Sequence, residues 1–218
     1  MCGIVGYIGD REATPLLLEG LKRLEYRGYD SAGVAVMNGQ GVDTRKAAGK
    51  ISRLEAALAA DPIVGDTGIA HTRWATHGAP NQCNAHPHMD CKGHIAVVHN
   101  GIIENSTTLR AHLIEIGHKF TSETDTEVIA HLIEEAFDGN LEDAVIEALW
   151  QIEGTYGIAV VSSEDKNKIV AARKGSPLLI GLGDGEYFVA SDASAILAHT
   201  REVVYLDDGE LAVLTRDG

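Results

Sequence analysis

The feature that most constrains the fold is a series of short apolar segments in the C-terminal part of the chain. These segments are separated by glycine- and aspartate-containing turns of a few residues. Turns this short join antiparallel neighbours, because a parallel pair needs a crossover of a dozen or more residues. The pattern therefore predicts antiparallel sheets that include strands over residues 158–162, 169–173, 178–182, 187–190, 203–206 and 211–215.

The preceding part of the chain alternates helical stripes with further strand-like segments. A predicted helix begins at Thr14-Pro15 with its leucines on one face, and Thr124 and Glu127 have capping-box spacing ahead of another helix. No proline- or serine-rich linker divides the 218 residues, so we predict one domain over residues 1–218. Its class is α+β, a layered sandwich of antiparallel sheets flanked by helices. The remaining predicted strands cover residues 34–37, 42–47, 67–74 and 95–99, and further helices cover 50–60, 105–116 and 141–150.

Composition excludes several classes of partner. The net charge is −14 and no lysine or arginine stripe occurs, which argues against binding to nucleic acid or an anionic membrane. No apolar run approaches the ~20 residues that a membrane-spanning helix needs. No signal peptide precedes Cys2, and three cysteines, an odd number, favour a reducing compartment. We therefore predict a cytoplasmic protein.

The first six residues, Met1 to Gly6, could carry chemistry. A small residue follows Met1, so we expect Met1 to be removed and Cys2 to become the amino terminus. An α-amine has a pKa of roughly 7.7–8 and a thiol of about 8.5, so the amine could accept the thiol proton. Ile4-Val5 predicts a buried strand that would hold this terminus still. The alternative is an ordinary strand in which Cys2 is a small apolar residue.

A thiolate that attacks an amide needs two fixed hydrogen-bond donors for the oxyanion. Asn100 and Gly101 follow a predicted strand and could supply a side-chain amide and a backbone N–H. The alternative is that Asn-Gly forms the turn of a β-hairpin, which this dipeptide favours.

An amino-acid substrate needs a cation for its carboxylate and an anion for its ammonium group. Arg73 is suited to a bidentate grip on a carboxylate, and Thr76 and His77 could add donors from the adjacent loop. Asp125 could hold the ammonium group, although a carboxylate at the start of a helix also complements the helix dipole. Trp74 could form a wall or lid, or could be a buried core residue.

Cys83, His86, His88 and Cys91 are ligand types that suit zinc. Their spacing is tighter than the usual paired arrangements, so we predict no metal and expect the histidines to be held by hydrogen bonds in a loop. A non-catalytic metal-binding or scaffold module remains the competing hypothesis, and stoichiometric zinc would support it.

Several segments together resemble the glutamine-hydrolysing domains of the N-terminal-nucleophile glutamine amidotransferases. The resemblance covers essentially the whole chain and implies a four-layer αββα fold. The tyrosine-bearing segment EYRGYDSAG is similar to the branch that aminates fructose 6-phosphate. The matching segments are MCGIVGYIG (1–9), LEYRGYDSAG (24–33), GIAHTRWATHG (68–78), NAHPH (84–88), VVHNGIIEN (97–105), SETDTEVIAHL (122–132), KGSPL (174–178) and ASD (190–192).

The resemblance implies a role for each candidate residue. Cys2 is the nucleophile with its own α-amine as base, and Asn100 with the Gly101 amide forms the oxyanion hole. The implied substrate contacts are Arg73, Thr76 and His77 for the glutamine carboxylate, Asp125 for its ammonium group, Trp74 in a closing loop, and Arg27 in the segment that shapes the pocket. No role carries over to Cys83 or Cys91.

The implied reaction is hydrolysis of the L-glutamine side-chain amide to glutamate and ammonia through a γ-glutamyl thioester, without a cofactor. In the full-length enzyme the ammonia would convert fructose 6-phosphate into glucosamine 6-phosphate. That step would need C-terminal sugar isomerase domains, which are absent from this chain, and the resemblance implies a homodimer of the full-length enzyme.

Overall fold

The computed structural model describes residues 2–74 and 78–218. The described residues form twelve strands and five α-helices, with short 3₁₀ helices at Glu25–Arg27 and Ala193–Ala195. The strands are β1 (Gly3–Ile8), β2 (Ser31–Met37), β3 (Val42–Ala48), β4 (Thr67–Arg73), β5 (His88–Met89), β6 (Ile95–Ile103), β7 (Gly154–Ser162), β8 (Lys168–Lys174), β9 (Leu179–Leu182), β10 (Tyr187–Ala190), β11 (Glu202–Tyr205) and β12 (Leu211–Thr215). The helices are α1 (Ala13–Arg23), α2 (Ile51–Ala60), α3 (Ser106–Glu115), α4 (Glu127–Ala136) and α5 (Leu141–Trp150).

The strands form two antiparallel sheets, as the short turns predict. The larger sheet has seven strands in the order β11-β9-β10-β1-β4-β2-β3, so the N-terminal strand lies at its centre. Val5 pairs with Ala190 on one side and with Ala70 on the other. The smaller sheet has five strands in the order β12-β8-β7-β6-β5. The N-terminal segment is therefore tied down by neighbours on both edges.

Apolar side chains fill three layers. On β1, Val5 and Tyr7 face α1 and α2, whereas Ile4 and Ile8 face the second sheet. A third cluster packs α3, α4 and α5 against the outer face of the smaller sheet. Burying an aliphatic side chain of this size contributes roughly 1.5–3 kcal/mol, so a strand buried on both faces is strongly held. The order helix, sheet, sheet, helix is the four-layer αββα sandwich, and the predicted fold class is confirmed.

One predicted strand start was wrong, and the alternative of a hairpin turn at Asn100-Gly101 is excluded. Strand β2 begins at Ser31 rather than Val34, because Ser31 pairs with both Arg73 and Ala48 and is fully buried between them. Asn100-Gly101 does not form a hairpin turn. It lies inside β6, where Asn100 pairs with Gly157 of β7.

The two helices also begin with cap residues other than the predicted ones. Thr14 lies inside α1 and donates a hydrogen bond to the Ile63 carbonyl instead of capping the helix. Thr124 lies ahead of α4, with its hydroxyl 2.9 Å from His88 Nε2, while Thr126 occupies the cap position. Both threonine hydroxyls reach partners that are distant in the sequence, so short-range spacing could not identify them.

Within the described part of the chain, the helices are too short and insufficiently apolar to span a bilayer.

Candidate active site

A cavity of about 230 Å³ opens where β1 begins, β4 ends and α4 begins. It brings together seven of the nine residues singled out from the sequence. Thr76 and His77, the other two, lie outside the described residues. The seven on the cavity wall are Cys2, Arg27, Arg73, Trp74, Asn100, Gly101 and Asp125.

The Cys2 thiol is held at the base of this cavity. Strand β1 is anchored just beyond it, because the buried Ile4 N–H donates to Ser191 Oγ at 3.0 Å. The Trp74 N–H donates to Cys2 Sγ at 3.2 Å. Burial raises the pKa of the Cys2 thiol, and this effect outweighs the Trp74 hydrogen bond and the charge of Arg73, which act to lower it. The thiol is therefore protonated at neutral pH and needs a base before it can attack.

The side chain of Asn100 points its amide nitrogen at Cys2. Asn100 Nδ2 donates to the Cys2 carbonyl at 3.3 Å, and Asn100 Oδ1 lies 2.9 Å from His71 Nε2. Burial lowers the pKa of His71 to about 3, so this imidazole is neutral and donates from Nε2 to the amide oxygen. His71 therefore fixes which way the Asn100 amide faces. His71 was not among the candidates taken from the sequence, although it lies in the GIAHTRWATHG segment.

Gly101 occupies a backbone conformation that other residues rarely adopt. Its φ is 141°, and a Cβ at this position would lie 2.0 Å from the Thr155 carbonyl oxygen. The strand passes through this point only because no side chain is present. Glycine is therefore required here because β6 lies close to β7, and the same residue lines the cavity.

Arg73 and Asp125 give the cavity walls opposite charges. Arg73 ends β4 and is only 4% exposed. Asp125 Oδ2 accepts a hydrogen bond from the Ile103 N–H at 2.9 Å, which holds the carboxylate against the end of β6. A cation and an anion on one small cavity suit a zwitterion such as a free amino acid.

Arg27 approaches the same carbonyl as Asn100. Arg27 Nη1 lies 3.5 Å from the Cys2 oxygen, and Nη2 forms an ion pair of 2.5 Å with Asp192. Burial alone would raise the pKa of Asp192, but hydrogen bonds from Ser194, Tyr26 and Arg27 lower it to about 2. Asp192 therefore remains ionised and holds Arg27 in place. Asp192 belongs to the matching ASD segment, but no role was predicted for it from the sequence.

Trp74 is a surface residue of the cavity rim and is 53% exposed, so the alternative of a core tryptophan was wrong. Its ring contacts Gly28, which has a φ of 73°, and a Cβ there would lie 2.7 Å from Trp74 Cζ3. The absence of a side chain at residue 28 therefore allows the tryptophan ring to lie against the segment that carries Arg27.

Six further wall residues were not predicted from the sequence to line this cavity. His99 contacts Thr126, its Nδ1 lying 2.9 Å from the threonine Oγ1, and burial lowers the pKa of His99. Ser176 and Pro177 belong to the matching KGSPL segment, which was the one available signal for them. The additional wall residues are His86, His99, Thr124, Thr126, Ser176 and Pro177.

The Cys83-His86-His88-Cys91 group considered as a zinc site is not gathered at one point. His86 and His88 are buried, and their ring centroids lie 4.8 Å apart next to His71. Cys83 is exposed, and the Cys91 sulfur lies near His118 and His131 instead. The competing hypothesis of a zinc site made of these four residues was therefore wrong.

Comparison with known proteins agrees with this geometry. Residues 71–198 match the family model described as a glutamine amidotransferase domain. Over its whole length the chain is 56% identical to a glutamine–fructose-6-phosphate aminotransferase (isomerizing) of Clostridium tetani, and 59% identical to one of Chlorobaculum tepidum. The chain spans 36% of the length of each of these relatives.

A solved structure shares the fold of this chain at lower sequence identity. The glutamine phosphoribosylpyrophosphate amidotransferase from B. subtilis, complexed with ADP and GMP, superposes on the whole chain with a TM-score of 0.86 and 28% identity. The match covers 48% of that enzyme. The fold is therefore shared with an enzyme that has a different name.

Proposed function

Because the chain belongs to the glutamine amidotransferase domain family, we propose that it hydrolyses the side-chain amide of L-glutamine to glutamate and ammonia. The single observation that carries this proposal is the convergence of Cys2, Asn100, Arg73 and Asp125 on one cavity. One sulfur nucleophile, one amide donor, one cation and one anion are the groups that this substrate requires.

The first step is attack by the Cys2 sulfur on the glutamine Cδ carbonyl. Removal of Met1 would leave a free α-amine on Cys2, and this amine accepts the thiol proton directly or through a water. The raised pKa of the thiol makes such a base necessary at neutral pH. Because sulfur and amine belong to one residue, little further alignment is needed.

The tetrahedral intermediate places a negative charge on the former amide oxygen. The Asn100 Nδ2 group, oriented by His71, and the Gly101 N–H would donate to this oxyanion. Donors that are held before the reaction begins stabilise the developing charge without reorganising. The carbon–nitrogen bond then breaks, the protonated α-amine returns its proton, and ammonia leaves.

The second half-reaction hydrolyses the γ-glutamyl thioester. Water attacks the thioester carbon, the same donors stabilise the second oxyanion, and glutamate and the Cys2 thiol are released. Throughout, Arg73 would bind the α-carboxylate and Asp125 the α-ammonium group, with Thr76 and His77 as further donors to the carboxylate. Arg27 and Trp74 would close the pocket around the bound amino acid.

The activity of a longer protein is a further proposal. The names of the relatives support a role as the ammonia-producing part of an enzyme that converts fructose 6-phosphate to glucosamine 6-phosphate. This chain, residues 1–218, would then act with C-terminal sugar isomerase domains, in a cytoplasmic homodimer. Alone, it would release ammonia into solution, which a coupled assay would detect as free ammonium.

The test is intact-mass measurement after incubation with a diazo-ketone analogue of norleucine, combined with an assay of glutamate released from glutamine. We expect Met1 to be absent, one adduct to map to Cys2, and glutamate to be formed. Cys2→Ala should give neither adduct nor glutamate, while Cys83→Ser, an exposed cysteine away from the cavity, should give both. Glutamate release by Cys2→Ala at the wild-type rate would overturn the proposal.

A further inference from the structure

A second group of polar side chains includes two residues of α4, and none of its members lines the cavity. It is made of Cys91, His118, His131 and Glu134, and we call it the Cys91 cluster. Its members come from the turn between β5 and β6, the segment after α3, and α4 itself. Four side-chain atoms of these residues all lie within 4.8 Å of one another.

The separations within the Cys91 cluster are those of a tetrahedron around a metal ion. Zinc bonds of about 2.0–2.3 Å put neighbouring ligand atoms about 3.3–3.6 Å apart. Cys91 Sγ lies 3.6 Å from both His118 Nδ1 and His131 Nδ1, and the two nitrogens are 3.2 Å apart. Glu134 Oε2 lies 3.2 Å from His118 Nδ1 and 3.5 Å from His131 Nδ1.

In the Cys91 cluster, the positions of the histidine protons favour a bound metal ion over a network of hydrogen bonds. His118 Nε2 lies 2.8 Å from Glu135 Oε1, so its proton is held on Nε2 and the Nδ1 lone pair faces the cluster. His131 Nε2 is buried without a hydrogen bond, with Glu127 Oε1 at 3.8 Å, and its Nδ1 atom lies 3.2 Å from His118 Nδ1. A proton could bridge only one pair of these atoms. A divalent cation would satisfy two nitrogens, a sulfur and a carboxylate oxygen at once.

Backbone groups hold the ligand atoms in this arrangement. The Lys119 N–H donates to Cys91 Sγ at 3.3 Å, an interaction that stabilises a thiolate. The Cys91 N–H donates to Glu134 Oε2 at 3.0 Å. Lys92 Nζ lies 3.6 Å from the other oxygen, Oε1, and therefore leaves Oε2 directed at the cluster. His118, His131 and Glu134 side chains are at most 8% exposed.

We propose that Cys91, His118, His131 and Glu134 form a structural zinc site. One sulfur, two imidazoles and one carboxylate in tetrahedral geometry suit zinc, and four protein ligands leave no open position for substrate. The ion would join the β5–β6 turn and the segment after α3 to helix α4. Because Asp125 lies two residues before α4, zinc would also hold the segment that carries this cavity residue.

The experiment uses the untagged chain, reduced, stripped with a chelator and titrated with zinc. We expect one equivalent of zinc per chain by elemental analysis, and a melting temperature that rises as zinc is added. Cobalt(II) should give the visible bands of a tetrahedral site together with a thiolate-to-cobalt charge-transfer band. Cys91→Ser should lose the charge-transfer band and the stoichiometric zinc.

Two further variants keep the test decisive. Cys83→Ser is the matched control and should keep both the zinc and the charge-transfer band. Glu135→Gln leaves all four ligands in place and removes only the partner of His118, so it should weaken zinc affinity by about 10–100-fold without preventing folding. Zinc bound equally well by wild type and Cys91→Ser, or no stoichiometric zinc in the wild type, would overturn the proposal.

Discussion

The Cys2 cavity and the Cys91 cluster contain similar chemical groups but arrange them differently. Each has one cysteine, buried imidazoles and a carboxylate. At Cys2 the contact to the sulfur comes from the Trp74 backbone N–H, and an open cavity lies in front of it. At Cys91 two imidazole nitrogens approach the sulfur to 3.6 Å. A sulfur that faces a cavity suits attack on a substrate, whereas a sulfur that faces two imidazole nitrogens suits the binding of a cation.

His71 and His118 illustrate the same difference. His71 directs its Nε2 to the Asn100 amide oxygen and so orients a donor. His118 directs its Nε2 to the Glu135 carboxylate, which leaves its other nitrogen facing the cluster. What distinguishes the two sites is the direction of each ring nitrogen rather than the residue types present.

The largest effects are expected when each of the two cysteines is replaced in turn. Cys2→Ser should lower glutamine hydrolysis by at least about 10³-fold, because the nucleophile is lost, and should leave the zinc content unchanged. Cys91→Ser should lose zinc yet keep a reactive Cys2. Glutamate release and zinc content measured on both variants give the answer, and a joint loss of both properties in either folded variant would contradict separate roles.

Replacing Asn100 tests the proposed chemistry of the cavity and leaves the Cys91 cluster unaltered. Asn100→Ala should lower kcat for glutamine by about 10²–10³-fold, because one oxyanion donor is removed. The Michaelis constant should change little, since the carboxylate and ammonium contacts remain. Steady-state kinetics with glutamine measure both quantities. A rise in the Michaelis constant with kcat unchanged would instead make Asn100 a ground-state binding residue.

Replacing His71 tests whether it orients the Asn100 amide, because we expect His71 to act only through Asn100. His71→Leu removes the donor to Asn100 Oδ1 and should lower kcat by about 10–100-fold. His71→Gln keeps a side-chain N–H near the same position and should recover part of this loss. Equal losses in the two variants would indicate that His71 fills space rather than orienting the amide.

Acid should lower the stability of the folded protein through the buried histidines His71, His86 and His88. Burial lowers the pKa of His71 to about 3 and that of His86 and His88 well below the usual value. Below about pH 6.5 the unfolded chain binds protons that the folded chain does not, so stability falls as the pH falls. Each such histidine contributes about 1.4 kcal/mol per pH unit.

Urea unfolding between about pH 7 and about pH 5 measures this slope. The lowered carboxyl pKa values, such as about 2 for Asp192, act only below this window. His71→Gln should reduce the slope by roughly one proton, and an unchanged slope would mean that His71 is protonated in the folded protein.

The smallest predicted effect concerns the rim of the cavity. Gly28→Ala places a methyl group against the Trp74 ring at a φ of 73° and should cost about 1 kcal/mol of stability. It should raise the Michaelis constant for glutamine only slightly, and zinc content should not change. Thermal unfolding and kinetics check both; a large loss of kcat would place Gly28 closer to the chemistry than its contacts indicate.

Much of the fold follows from local patterns. Helix α5 and strands β10 and β12 have the predicted bounds, because each combines a clear periodicity with turn residues at both ends. The first residues of β2 were missed because Ser31 becomes strand through pairing with residues 48 and 73. Short-range capping rules failed where a threonine hydroxyl found a partner far away, as Thr124 does at His88.

The candidate site was predictable where its residues sit in recognisable segments. Cys2, Arg73, Asn100 and Asp125 stood out by chemical type, and they line one cavity. The Cys91 cluster was not predicted, because its other three members are 27, 40 and 43 residues away from Cys91 along the chain. Proximity in sequence grouped Cys91 with His86 and His88, whose rings turn inward toward His71 instead.

By itself, the sequence determined the layered antiparallel class and the family, and it indicated Cys2 as the candidate nucleophile, since these depend on periodicity, turn chemistry and short motifs. Only the tertiary structure decided which nitrogen of each histidine faces which neighbour, and that Gly101 sits where no Cβ fits. The reason is physical. Periodicity is a property of neighbouring residues, whereas the direction of a side chain is set by atoms brought against it from distant parts of the chain.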